Sequence, residues 1–101
     1  MAIEIHPADL RQRLGAGEDV YLLDVRELFE VEEWAFPGAV NIPLGELGAR
    51  TAELPADRAI VVICHAGVRS AAATDALLKA GWRAESLAGG TMAWIATAED
   101  R

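Results

Sequence analysis

With 101 residues, 52% of them apolar, the chain carries enough hydrophobic material for one core, and it is read as one small domain over 1–101 rather than a disordered polymer. Sixteen acidic against nine basic residues leave a formal net charge of -7, and no basic patch offers itself to phosphates, which excludes nucleic acid as a partner. A lone cysteine rules out an internal disulfide, the amino terminus lacks a basic start and a long apolar run, and the uncharged stretch from Ser86 to Ala98 is short and broken by Gly89-Gly90. No membrane partner and a cytoplasmic location are the expectations.

In chain order, Ile3 to Ile5 reads as a short edge strand. His6-Pro7-Ala8-Asp9 leads into a helix to about Leu14, with Leu10 and Leu14 on one face and Gly15-Ala16-Gly17 at its end. His6 is read as a surface or capping residue. Val20 to Val25 forms an apolar run suited to burial on both faces. The acidic segment Leu28 to Trp34 follows as a short helix, and Trp34 and Phe36 read as core or interface side chains. Val40 to Ile42 is a short strand, Leu44 to Leu54 a helix closed by Pro55, and Ala59 to Ile63 a central strand. A helix from Ser70 to Ala80 has Ser70 as its N-cap and Gly81 past its end. Glu85 to Leu87 is the last strand, and Gly89-Gly90 turns the chain into a helix from about Thr91 to Ala98, with Trp94 packing it on the sheet. Strands alternating with helices at this density predict a small α/β domain with a mostly parallel central sheet and helices on both faces. No cluster of His, Cys and acidic residues has metal-ligand spacing, and no nucleotide fingerprint is present.

The stretch from Ala59 to Thr74 concentrates the chemistry. A β-branched run ends at Cys64, a loop with one glycine and one arginine follows, and an alanine-rich helix begins. If the loop wraps the sulfur, the backbone N–H groups of His65 through Ser70 form an anion nest, the helix presents its positive end, and Arg69 adds a cation. All three favour the thiolate over the thiol. A buried core thiol at a strand end is the other reading, and these residues alone leave both open.

Cys64-His65-Ala66-Gly67-Val68-Arg69-Ser70 resembles the active-site loop of the rhodanese (sulfurtransferase) family. Leu22-Leu23-Asp24-Val25-Arg26-Glu27, Pro37-Gly38-Ala39-Val40-Asn41-Ile42-Pro43 and Leu87-Ala88-Gly89-Gly90-Thr91-Met92-Ala93-Trp94 match three further hallmarks of that family in order, so the similarity spans nearly the whole chain. One departure stands out: Trp34-Ala35-Phe36 occupies the place where the family pattern usually has Gly-His-Ile.

The resemblance implies that Cys64 attacks the sulfane sulfur of a donor, thiosulfate or a persulfide, carries it as a Cys64 persulfide and passes it to a thiol or cyanide, without metal or organic cofactor. His65, Ala66, Gly67, Val68, Arg69 and Ser70 are then the loop that binds the transferred sulfur, with His65 at its entrance. Arg69 holds an anionic donor or the persulfide, or else closes the loop through a salt bridge. Asp24, Arg26 and Glu27 are assigned to structural support through ion pairs and hydrogen bonds. The acidic surface repels small anions at long range, so an anion must be held by local donors or the donor is another protein's persulfide, which makes a sulfur-relay protein a candidate partner. Two alternatives stand beside the enzyme: a persulfide carrier or regulatory binding module, and a phosphatase or arsenate reductase. Phosphatases place arginine six positions after the cysteine, where this chain has Ser70, and the shorter loop makes a smaller cradle.

Overall fold

The central strand explains the architecture. In β4 (Ala59–Ile63), Ile60 and Val62 belong to one hydrophobic cluster and Val61 and Ile63 to another, and all four are fully buried. Such alternation with no polar face requires cover on both sides of the sheet. A computed structural model, which describes residues 3–98, supplies that cover. The ends of the expected 1–101 extent, residues 1–2 and 99–101, lie outside the described residues.

Strands β1 (Glu4–Ile5), β2 (Val20–Asp24), β3 (Val40–Asn41) and β5 (Ala84–Leu87) join β4 in a five-stranded sheet of order β1-β5-β4-β2-β3. Every pairing is parallel. On one face, Leu23, Ile60 and Val62 pack with Leu47 of α3 (Leu44–Leu47) and with Ala73 and Leu77 of α4 (Val68–Lys79). On the other, Leu22, Val61, Ile63 and Leu87 pack with Leu10 of α1 (Pro7–Gly15), with Phe36, and with Trp94 of α5 (Gly90–Ala96). Each large aliphatic side chain so buried contributes about 1.5–3 kcal/mol of transfer free energy. The short helix α2 (Leu28–Glu33) buries no residue and lies at the sheet's carboxyl end, held by its caps. Among the described residues no helix is long and apolar enough to cross a membrane.

Two expected boundaries are corrected. Leu44 to Leu54 is not one helix: α3 stops at Leu47 and a 3-10 turn, Thr51–Glu53, follows. Gly45 and Gly48 weaken a helix there, and Arg50 ties the two pieces together by pairing with Glu46 and Glu53. The helix expected from Ser70 begins two residues earlier, with Gly67 as its N-cap. Smaller shifts trim β3 before Ile42 and end α5 at Ala96.

Candidate active site

Cys64 continues the even-numbered face of β4 toward α4 and is 1% exposed. The chain then reverses at Gly67, whose φ of +96° is a backbone conformation that side chains disfavour. Gly67 caps α4 but has no side chain to satisfy the helix's first N–H groups. The cysteine sulfur does so instead. Gly67 N–H donates to Cys64 Sγ at 3.1 Å, and the N–H of Ser70, third residue of the helix, at 3.3 Å. In geometry the sulfur takes the place of a capping oxygen, and the positive end of a 12-residue helix is aimed at it.

Ser70 therefore does not cap the helix with its side chain. Its hydroxyl, fully buried, lies 3.3 Å from Cys64 Sγ and 2.7 Å from Ser86 Oγ on β5. Of the backbone donors expected to surround the sulfur, those of Gly67 and Ser70 reach it. His65 and Ala66 stand exposed at the mouth of the loop, and Val68 points to solvent.

The loop is fastened from behind by α5. Thr91 N–H donates to the Cys64 carbonyl at 2.9 Å and Met92 N–H to the His65 carbonyl at 3.1 Å. This approach requires Gly90, because a Cβ there would lie 2.4 Å from both carbonyl oxygens, and its φ is +61°. The sequence marked Gly89-Gly90 as a turn within a family hallmark, without assigning this close approach. Ser86 and Gly90 are thus two contributors to the loop that sequence reasoning left without a role; consecutive glycines opening a helix were the available signal for the second.

Asp24, Arg26 and Glu27 leave the carboxyl end of β2 beside this loop. Arg26 Nε donates to both Asp24 carboxylate oxygens at 3.0 Å and Nη2 to Oδ2 at 2.6 Å, with side chains only 4% and 2% exposed. The same guanidinium donates to the Trp34 carbonyl at 2.9 Å, and Asn41 Nδ2 donates to the carbonyls of Asp24 and Arg26. Glu27 and Glu30 form a reciprocal capping box that starts α2.

Arg69 spans from α4 to α2. Its Nη1 and Nη2 donate to Glu30 Oε1 and Oε2 at 2.7 and 2.9 Å, a bidentate ion pair. The hydrogen bonds from Arg69 are the main reason that the Glu30 carboxyl falls from 4.5 to about 2, helped by the Glu27 N–H, and the same bonds raise the Arg69 guanidinium. Of the two roles open to Arg69, the geometry is that of the salt bridge.

Between α2 and α5, and opening onto His65, runs a groove of about 560 Å³ whose walls include Phe29, Glu33, Trp34, Met92 and Ile95. Phe36 is buried against Trp94, with centroids 4.7 Å apart, and Trp34 meets Phe36 edge-on at 5.9 Å. The Trp34-Ala35-Phe36 departure thus places one aromatic in the core and the other, half-buried, in the groove wall.

Comparison with known proteins places this arrangement. A protein named sulfurtransferase from Allochromatium vinosum is 38% identical over 95 residues, covering 93% of this chain and 89% of its own. The Mycobacterium tuberculosis protein named "Probable adenylyltransferase/sulfurtransferase MoeZ" is 43% identical over 93 residues, 89% of this chain but only 24% of that protein. The crystal structure of a rhodanese-related protein from Thermoplasma volcanium superposes with a TM-score of 0.88 at 35% identity, covering 95% of this chain and 93% of that one. The rhodanese-like domain model matches residues 6–97, and the chain belongs to the rhodanese-like domain family.

Proposed function

We propose that this chain is a single-domain sulfurtransferase that carries a sulfane sulfur on Cys64. The observation that carries this reading is the sulfur at the positive end of α4, within hydrogen-bond reach of two backbone N–H groups and the Ser70 hydroxyl. The two N–H donors and the helix end favour a negative charge at this point, first on the attacking sulfur and then on the outer sulfur of the persulfide. With thiosulfate as donor, the Cys64 thiolate bonds to the sulfane sulfur, the sulfur–sulfur bond of the donor breaks, and sulfite departs with its electron pair. Cyanide or a thiolate then takes the outer sulfur and returns Cys64 as thiolate.

Cys64 lies at the floor of its loop, so the donor must present a protruding terminal atom, which a sulfane sulfur does and a tetrahedral phosphate does not. Arg69 is engaged by Glu30 rather than turned to the loop's centre, which further disfavours the phosphatase reading. Relatives in which such a domain is one part of a longer sulfurtransferase support a relay partner as donor or acceptor. A lone cysteine needs no oxidising compartment, and the cytoplasm is the proposed location.

Steady-state thiocyanate production from thiosulfate or a small-molecule persulfide with cyanide tests the assignment. Wild type turns over and Cys64→Ser does not, while neither hydrolyses an aryl phosphate. Phosphate hydrolysis dependent on Cys64, or equal thiocyanate production by both proteins, contradicts it.

A further inference from the structure

The groove beside the loop points to a particular donor. Phe29, Met92 and Ile95 are 64%, 54% and 49% exposed, an unusual concentration of large apolar surface against one opening. The charge around it has one sign. Both arginines within reach are neutralised, Arg26 by Asp24 and Arg69 by Glu30, whereas Glu32 and Glu33 of α2 are exposed and have no cationic partner among the described residues. Glu33 lines the groove itself. With Arg26 and Arg69 so paired, a dianion such as thiosulfate meets no unpaired arginine among the described residues that line the groove, and a field that repels it.

We infer that the groove receives a protein segment bearing a persulfidated cysteine flanked by an apolar and a basic side chain. This rests on the Cys64 persulfide reading and names the donor for it. The apolar neighbour lies against Phe29, Met92 and Ile95, the basic neighbour against Glu33, and the persulfide passes His65 into the loop. The Cys64 thiolate attacks the outer sulfur of R-S-SH; the new bond forms from Cys64 to that sulfur, the donor's sulfur–sulfur bond breaks, and R-S⁻ leaves with the electron pair while the proton stays on the transferred sulfur. Charge complementarity fixes the polarity of the partner, and continuity of the apolar walls with the loop fixes where it lies.

Three synthetic peptides that differ only at one residue beside a persulfidated cysteine, Lys, Gln or Asp, with Leu on its other side, test this. The rate of sulfur arrival on the full chain is followed by rapid-quench intact mass at low salt, with thiosulfate in parallel. The Lys peptide loads Cys64 about tenfold faster than the Asp peptide, with Gln between. Glu33→Lys narrows or reverses that order, and Phe29→Ser slows all three. An Asp peptide that loads as fast as the Lys peptide, or Phe29→Ser loading at the wild-type rate, overturns the inference. If thiosulfate loads the protein and the three peptides do not differ, the inference fails and the persulfide reading stands. If no donor places sulfur on Cys64, both fall.

Discussion

Arg26 and Arg69 each grip a carboxylate at the same end of the sheet, yet the first pair is sealed in protein and the second stands at the edge of a groove. The Asp24 and Arg26 side chains are 2% and 4% exposed; those of Glu30 and Arg69 are 20% and 35% exposed. Desolvation makes the inner pair all or nothing, because either partner alone is a buried charge without compensation. The outer pair is screened by water and contributes little net stability, so it can be exchanged for other interactions at small cost. The inner pair fixes the shape of the strand end, and the outer pair sets the charge that a donor meets.

The largest effect comes from breaking the inner pair. Arg26→Met strands the Asp24 carboxylate and frees the Trp34 carbonyl, and urea denaturation should show a loss of about 3–5 kcal/mol. Next stands Gly90→Ala, which leaves both ion pairs intact but forces a methyl group against the carbonyls of Cys64 and His65. The positive φ alone costs about 1–3 kcal/mol, and the displaced loop should lower sulfur loading on Cys64 more than it lowers the denaturation midpoint. Glu30→Gln breaks the outer pair, with a stability change of about 1 kcal/mol or less. Unlike the first two it should improve the use of thiosulfate, through a several-fold fall in KM, because Arg69 becomes available to an anion.

The smallest effect is in acid. Glu30 is held at about 2 against an ordinary 4.5, so its contribution is complete above about 4.5 and is lost as pH falls toward 2. Across that window wild type should lose up to about 1 kcal/mol more than Glu30→Gln in parallel denaturant titrations, the pair being partly exposed. Equal pH dependence in the two proteins would remove the electrostatic role given to this pair.

How far the sequence carried these features depends on how local each is. The strand Ala59 to Ile63 and the run from Val20 to Val25, of which β2 keeps Val20–Asp24, were legible because unbroken β-branched and aliphatic runs report burial on both faces. Cys64 and its loop were legible through a contiguous motif. The start of α4 was misread because serine is a common N-cap, whereas the capping acceptor here is a sulfur three residues before the N-cap glycine. The split of Leu44 to Leu54 follows from two glycines whose cost an apolar count overlooks. The Arg69–Glu30 pair links residues 39 apart, and the Ser70–Ser86 contact links residues 16 apart across two elements. Neither has a local pattern, since only the sheet order brings α2, α4 and β5 around one loop.

Whether Cys64 carries the sulfur is decided by the intact mass of the protein after thiosulfate or a persulfide donor, and again after cyanide, beside Cys64→Ser. On the Cys64 persulfide mechanism wild type gains one sulfur atom and loses it to cyanide as thiocyanate, while the variant gains none. A wild-type mass that never changes with any donor, or a sulfur that arrives on the Cys64→Ser protein as well, would contradict it.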